Sequence, residues 1–426
     1  MTALAGLLFT VIALLGTPMF AVMGAAALWG FASEGVSAAA VIIELYRMTD
    51  APALVAIPFF TFAGFLMAEA RTPQRLAGLA RAALGWVPGG LAVVTLATSA
   101  FFTSFTGASG ATIVALGGLL YASLLQDNYP ERFALGLVTT CGGLGLLFAP
   151  SLPLILYGVV AQVNIDHLFL AGIVPGLLLM VILGSYSVWV GGRTAPRTPF
   201  SGAALGAALR GAAWELPLPV LILGGIYGGF YTAAEAAAVA AFYVLIVEAF
   251  IYRDLDLWRD VPRIARESMI LVGVILIILG AALGLTNYLV DQQVPQRLLE
   301  AMKTWIVNRW LFLLALNLFL LVVGSLMEFY AAIVVVVPLI LPIAKEFGVH
   351  PVHLAIIFLT NLEVGFTTPP LGLNLFISAN RFRLPLNEVW WSSLPFLGLL
   401  FAALLLITYL PELSLAPLRW LLKAGF

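Results

Sequence analysis

Hydroxyl-bearing side chains, glycines and prolines interrupt four strongly apolar stretches of this sequence. The interruptions are TGASG (Thr106–Gly110), LFAPSLP (Leu147–Pro153), MEFYA (Met327–Ala331) and GFTTPPLG (Gly365–Gly372). A helix that ends inside a membrane leaves amides without partners at its N-terminus and carbonyls without partners at its C-terminus. Amide ends attract anions and carbonyl ends attract cations. Interrupted helices that meet at one depth would therefore supply ligands for both kinds of ion.

The side chains at the interruptions suit a hard monovalent cation together with a small anion. By the logic of Ca²⁺ and Mg²⁺ sites, Na⁺ favours oxygen ligands, and hydroxyls with backbone carbonyls suffice without a carboxylate. A lone Ser or Thr usually bonds back to its own helix, but clustering at four matched interruptions favours a site. The candidate side chains are Ser99, Thr103, Ser104, Thr106, Ser109, Ser151, Thr367, Thr368, Asn361 and Asn374, with Gly107 and Gly110 allowing tight turns.

Three acidic residues in apolar surroundings need separate explanations, because an ionisable group inside a membrane is costly and suggests a function. Glu328 lies in the third interruption beside Tyr330, where it could bind a cation, carry a proton or bond to nearby amides. Glu363 precedes the fourth interruption and could orient that loop or approach a cation. Glu235 is better explained as a first-turn residue of a helix, where a carboxylate is favourable.

The composition indicates a polytopic helical membrane protein. The chain is 62% hydrophobic and 10% charged, whereas a soluble domain carries about 25% charged residues. The net charge of −1 gives no sign of nucleic-acid binding, and a single cysteine excludes a disulfide framework. No spaced His/Asp/Glu cluster supports an intramembrane enzyme, so we expect neither catalysis nor a metal cofactor beyond Na⁺.

Hydropathy predicts seven plain spans and four irregular segments. Two irregular segments are too long for one crossing and fit re-entrant hairpins, whereas the other two fit one crossing built of two half-helices. The plain spans are 4–29, 52–69, 168–190, 214–230, 233–251, 269–290 and 390–411, the hairpins are 89–125 and 309–345, and the broken spans are 131–162 and 351–380.

The hairpin and broken span occur twice. An offset of 221 places Pro130 on Pro351 and brings Pro150 within two residues of Pro369/Pro370. Repeats with unwound helices at matching positions mark transporter binding sites. The fold class is therefore an all-α membrane protein with two repeats, each holding a re-entrant hairpin and a broken helix.

The distribution of basic residues predicts the orientation. With re-entrant hairpins, 13 of the 20 basic residues fall on one side and 7 on the other. Basic residues favour the cytoplasm, which makes the repeats inverted, the N-terminus cytoplasmic and the C-terminus periplasmic. The segments Arg71–Trp86 and Arg253–Glu267 are predicted to be amphipathic helices at the cytoplasmic interface.

Several motifs together resemble the large membrane subunit, DctM-like, of the tripartite ATP-independent periplasmic (TRAP) transporters. The motifs span nearly the whole chain and are IPFFTFAGFLM (57–67), FTGASGAT (105–112), PSLPLILYGVVA (150–161), LFLAGIVPGLLL (168–179), YTAAEAAAV (231–239) and VGFTTPPLGLNLF (364–376). The chain departs from many members at Ala149, at Gly117 and at Glu328-Phe329-Tyr330.

The resemblance implies a function that composition does not. Members import carboxylated solutes with a Na⁺ gradient by an elevator movement, and a periplasmic substrate-binding protein delivers the solute. No fused small subunit is expected here, so the partners implied are a separate four-helix membrane subunit and that binding protein, in a bacterial inner membrane. The implied Na⁺ ligands are Thr103, Ser104, Thr106, Gly107, Ser109, Ala149, Pro150, Glu328, Gly365, Thr367 and Thr368, and the implied solute contacts are Ser109, Ser151, Tyr330, Thr368, Pro369 and Asn374.

The resemblance also divides the chain into moving and static parts. The expected scaffold segments are 1–88 and 163–308, the expected transport-domain repeats are 89–162 and 309–380, and 381–426 is the expected C-terminal helix. The alternative function is a stand-alone ion-coupled carboxylate symporter that needs no binding protein.

Overall fold

A computed structural model describes residues 6, 8–9, 11–13, 15–37, 39, 41–43, 46, 52–87, 89–194, 200–306, 308–369 and 371–423. Its regular elements are helices. They are α1 (Met19–Ser33), α2 (Ala56–Glu69), α3 (Thr72–Leu84), α4 (Gly90–Thr106), α5 (Ser109–Gln126), α6 (Glu131–Cys141), α7 (Leu152–Ala161), α8 (Ile165–Thr194), α9 (Gly202–Gly211), α10 (Pro217–Tyr227), α11 (Ala233–Ile246), α12 (Asp260–Asp291), α13 (Val294–Lys303), α14 (Arg309–Leu326), α15 (Phe329–Glu346), α16 (Pro351–Gly365), α17 (Leu373–Phe382), α18 (Leu386–Tyr409) and α19 (Glu412–Lys423).

The helices confirm a polytopic all-α membrane protein. Seven helices in the described part are long and apolar enough to cross a membrane, and a pair bent by 45° at α6 and α7 raises the number to eight. α11 begins with a capping box in which Glu235 accepts from the Thr232 amide, as predicted for a first-turn carboxylate.

Two predicted segments are wrong in their boundaries. The first span, 4–29, is not one helix, because the chain turns at Leu15–Gly16 before α1 begins. Arg253–Glu267 is not a separate interfacial helix. Arg253 adopts a left-handed φ of 57° in a loop, and from Asp260 onward the segment forms the first turns of the continuous α12. By contrast, Arg71–Trp86 does contain a short amphipathic helix, α3.

Helical hairpins form at both predicted positions. In hairpin 1 (α4 and α5) only Gly107 and Ala108 separate the arms, and Gly107 ends α4 in the left-handed conformation with φ 64°. In hairpin 2 (α14 and α15) Met327 and Glu328 separate the arms. These tips match the predicted TGASG and MEFYA interruptions, and the re-entrant path through the bilayer stays a prediction.

Both broken helices are also present, but the first break is longer than predicted. α6 ends at Cys141, a 3-10 turn covers Leu144–Leu147, and α7 begins at Leu152, so this first break spans residues 142–151. The prediction placed its start at Leu147 and missed the adjacent Gly142 and Gly143. The second break spans residues 366–372, between α16 and α17, as predicted, although Pro370 lies outside the described residues.

The four helices of the first repeat begin within two residues of their counterparts in the second after an offset of 221. Their packing repeats as well. The first arm of each hairpin packs on the broken helix of its own repeat, whereas the second arm packs on the second half-helix of the other repeat, α5 on α17 and α15 on α7. This crossed arrangement brings both tips and both breaks together.

Candidate functional site

Thr103 ties the tip of hairpin 1 to the first break. Its hydroxyl lies 2.6 Å from the Thr112 hydroxyl on the other arm and donates to the Gly142 carbonyl at 2.9 Å. Thr103 is fully buried. A hydroxyl that donates one bond still carries acceptor lone pairs, so the Thr103 hydroxyl and the Gly142 carbonyl place two oxygens side by side in a buried position.

Other predicted hydroxyls bond within their own repeat. Ser104 donates to the Phe101 carbonyl at 2.7 Å and Thr106 to the Phe102 carbonyl at 3.2 Å. Ser151, at the end of the first break, donates to the Leu146 carbonyl at 2.5 Å. These bonds fix rotamers and leave the oxygen lone pairs available. Ala149 is half-buried and Pro150 buried beside Ser151, with a cis peptide bond between them.

Two contacts join the tip of hairpin 1 to the second repeat. The Ser109 hydroxyl donates to Asn374 Oδ1 at 2.9 Å, from the start of α5 to the start of α17. The Tyr330 hydroxyl at the start of α15 donates to the Gly107 carbonyl at 3.4 Å. Asn374 is fully buried and its Nδ2 has no hydrogen-bond partner among the described residues. A buried amide donor without a partner, on the side chain that contacts Ser109, suits an anionic oxygen.

Hairpin 2 and the second break are held together by close backbone approach. A Cβ placed on Gly365 would lie 2.7 Å from the Gly324 backbone, so this position requires glycine, and a Cβ on Gly324 would lie 3.0 Å from the Leu362 Cα. The Gly372 amide donates to the Ser325 carbonyl at 3.2 Å. The chain of the second break is therefore fastened directly to the end of α14.

The polar groups of hairpin 2 and the second break are mostly engaged locally. Glu328 accepts from the Tyr330 amide at 3.1 Å and caps α15. Thr367 and Thr368 both donate to the Val364 carbonyl, at 3.0 and 2.7 Å. Pro369 is exposed. The structure thus places Ser109, Tyr330 and Asn374 at the crossing. By contrast, the side chains of Glu328, Thr367 and Thr368 bond to backbone groups within four residues of themselves.

A buried amide network escaped sequence reasoning. The Asn361 side chain donates to Asn317 Oδ1 at 2.8 Å, and Asn317 Nδ2 donates to the Thr408 hydroxyl at 3.1 Å. His353 lies inside α16 with its Nε2 3.2 Å from the Thr408 carbonyl. Polar side chains spaced along apolar helices were the signal for this network, but their partners lie on helices distant in sequence.

The chemistry of the crossing indicates the class of protein. Among the described residues no group of three or more His, Cys, Asp or Glu side chains could hold a metal ion. Instead, interrupted helices of two repeats cross at buried hydroxyls, an amide and backbone carbonyls. This arrangement is typical of secondary membrane transporters.

The family follows from comparison with known proteins. Residues 6–413 match the model of the tripartite ATP-independent periplasmic transporter, DctM component, and the chain belongs to this family. It is 37% identical over 382 residues to the C4-dicarboxylate TRAP transporter large permease protein DctM of Pseudomonas aeruginosa, covering 89% of each chain. Homologues are named as transporter permease subunits, so this chain is a permease subunit and not an enzyme.

Other relatives carry different solute names. The chain is 34% identical over 411 residues to the isethionate TRAP transporter permease protein DctMQ of Oleidesulfovibrio alaskensis, covering 96% of this chain and 65% of that one. It is 30% identical over 422 residues to the ectoine/5-hydroxyectoine TRAP transporter large permease protein UehC of Ruegeria pomeroyi, covering 97% and 98%. The solute therefore varies within the family.

A solved structure supports the fold. The crystal structure of the Alcanivorax borkumensis YdaH transporter matches with a TM-score of 0.65 over 86% of each chain. At 13% identity this likeness concerns the fold alone.

Proposed function

We propose that this large permease subunit imports a small carboxylated solute across the bacterial inner membrane, driven by a Na⁺ gradient. A periplasmic binding protein delivers the solute, and a separate small membrane subunit of four helices completes the transporter. The N-terminus is cytoplasmic and the C-terminus periplasmic. The observation that carries the proposal is the crossing of hairpin 1 with the second repeat, through Ser109 with Asn374 and Tyr330 with Gly107.

Na⁺ would bind where each hairpin tip meets a broken helix. The first site uses oxygens of Thr103, Ser104, Thr106, Gly107, Ser109, Ala149 and Pro150, and it is supported by the bond from Thr103 to the Gly142 carbonyl. The second uses Glu328, Gly365, Thr367 and Thr368, and it is supported by the tight contact of Gly365 with Gly324. Hydroxyls and carbonyls are the oxygen ligands that a hard cation favours.

The solute would bind at the crossing, where Ser109, Tyr330 and Asn374 meet, and extend to Ser151, Thr368 and Pro369 on the adjoining breaks. No basic residue occurs in any of the four interruptions of the sequence. A carboxylate would therefore be held by helix N-termini, hydroxyls and the free Asn374 amide. The C4-dicarboxylate relative makes a small dicarboxylate such as succinate the first probe.

The transport step would be an elevator movement of both hairpins and both broken helices against the remaining helices. The crossed packing of the two repeats supports this, because α5 on α17 and α15 on α7 join them into one unit. A unit held together by contacts between its own repeats can move without opening its core.

The test of the first Na⁺ site compares two threonines on α4. Thr103→Val removes the bond to the Gly142 carbonyl, whereas Thr95→Val removes only a bond to Leu91 of its own helix, at 3.0 Å. We expect the Na⁺ concentration for half-maximal succinate uptake to rise about tenfold in Thr103→Val, corresponding to ~1.4 kcal/mol. Thr95→Val should behave as wild type. Equal Na⁺ dependence in both variants would remove Thr103 from the site.

The alternative, a stand-alone symporter, is separated by leaving out one component. Proteoliposomes that hold this subunit and its small partner should take up succinate only when the binding protein is added. Comparable uptake without the binding protein would favour the alternative.

A further inference from the structure

Glu363 is a buried carboxylate whose surroundings do not satisfy it. It lies in the last turn of α16 and is 1% exposed. Neither Oε1 nor Oε2 has a hydrogen-bond partner among the described residues. Burying an ionised carboxylate without a partner is costly, so such groups are normally paired or bind a metal ion.

The Glu363 side chain points from the second repeat into the first break. A Cβ placed on Gly143 would lie 2.8 Å from Glu363 Cγ and 3.5 Å from Oε1, so glycine leaves the room that the side chain occupies. The Thr140 hydroxyl, three residues before Gly143, is also buried and also lacks a partner in the described part of the chain. Two unsatisfied oxygen-bearing side chains therefore lie near the end of α6, one on its last turn and one from α16 beside Gly143.

The helix end beside Glu363 carries charge of the wrong sign for a bare carboxylate. α6 ends at Cys141, two residues before Gly143, and its last turn contains no basic residue. The final carbonyls of a helix bear a partial negative charge of about half an electron. The carboxylate and the helix end repel each other, and a cation between them would stabilise both.

We infer that Glu363 binds a Na⁺ ion between the two broken helices, with the Thr140 hydroxyl and carbonyls at the end of α6 as further oxygen ligands. This position differs from the first proposed Na⁺ site at hairpin 1, as the neighbours of two adjacent glycines show. A Cβ on Gly142 would meet Ile113 and the Ser109 carbonyl of hairpin 1, whereas one on Gly143 would meet Glu363. The inference rests on the proposed Na⁺ coupling and adds one Na⁺ to each transport cycle.

The experiment measures the coupling ratio of the complete transporter, with small subunit and binding protein, in proteoliposomes. Fluxes of ²²Na⁺ and labelled succinate are counted together for wild type, Glu363→Gln and the control Glu346→Gln, whose side chain is 58% exposed. Glu363→Gln should transport one Na⁺ fewer per succinate, and Glu346→Gln should keep the wild-type ratio. An active Glu363→Gln with an unchanged ratio would overturn the inference. So would a wild-type proton flux that only this variant loses, because Glu363 would then carry a proton.

A second variant decides the matter if Glu363→Gln fails to fold. Thr140→Val removes one hydroxyl ligand and should raise the Na⁺ concentration for half-maximal uptake about tenfold, whereas Thr95→Val should not. A wild-type Na⁺ dependence in Thr140→Val would then overturn the site. Uptake by the wild type without Na⁺ would instead contradict the proposed function as a whole.

Discussion

Arg75 on α3 offers the sharpest test of how the interfacial helix is anchored. Its guanidinium is 14% exposed and pairs with Glu215, Glu248 and Asp254, the Glu248 contact being 2.8 Å. It also stacks on the Tyr252 ring at 3.8 Å. Burial alone would lower the pKa of Arg75, but the hydrogen bonds that its guanidinium donates to the three carboxylates outweigh burial and raise the pKa above its usual value. The residue stays charged at any pH used in an assay.

The loss of folding stability expected on removing the Arg75 guanidinium follows from its burial. Arg75→Gln removes the cation from Glu215 and Glu248 and leaves Asp254 with the exposed Arg71 guanidinium 3.9 Å away. Breaking a buried ion pair from one side costs about 3–5 kcal/mol. Arg81 on the same helix provides the matched control. It is 48% exposed and, within the described part of the chain, pairs with Asp127 alone, at 3.1 Å, so Arg81→Gln should cost about 0–1 kcal/mol.

The assay is thermal unfolding of the purified subunit in detergent. The quantity measured is the fraction of protein that stays monodisperse after heating. Arg75→Gln should lose stability by several degrees while Arg81→Gln stays near wild type. Arg75→Lys should fall between them, because it keeps the charge but loses the planar fork. If Arg75→Gln and Arg81→Gln have the same melting temperature, the contact of Arg75 with three carboxylates does not anchor α3.

Two further predictions test the packing around the second break. Gly365→Ala places a Cβ 2.7 Å from the Gly324 backbone and should abolish uptake while membrane insertion is retained. The control Gly398→Ala places a Cβ with no described atom within 4 Å and should leave uptake unchanged in the same assay. Asn317→Leu removes the partner of the buried Thr408 hydroxyl, whereas the Asn361 amide keeps its bond to the Ile357 carbonyl. The change should cost about 1–3 kcal/mol, read as a lower melting temperature, and a wild-type melting curve would contradict the network.

The places where helices stop were predictable, because the residues that stop them are visible locally. The second break matched Gly365–Gly372 since two adjacent prolines remove two successive amide donors, whereas isolated prolines are tolerated inside α8 and α15. The first break began earlier than LFAPSLP because Gly142 and Gly143 already weaken the helix end. The two glycines indicated the earlier start of the break, but Pro150 in LFAPSLP was the more conspicuous helix breaker.

The contacts that make the site were not predictable from one sequence. Ser109 and Asn374 lie 265 residues apart, and Gly107 and Tyr330 lie 223 apart. The repeat indicated that the tips and breaks belong together, but not which side chains would meet. The same holds for Arg75, whose carboxylates come from segments 140 to 179 residues away. Local composition also could not show that Glu363 turns towards Gly143 rather than towards hairpin 2.

The central claim is that a Na⁺ gradient drives solute through the crossing of the two repeats. It is tested most directly by succinate accumulation in proteoliposomes that hold the complete transporter and no ATP. An inward Na⁺ gradient should raise internal succinate above the external concentration, and collapsing that gradient should abolish the accumulation. Equal accumulation with an inward K⁺ gradient in the absence of Na⁺ would contradict the account.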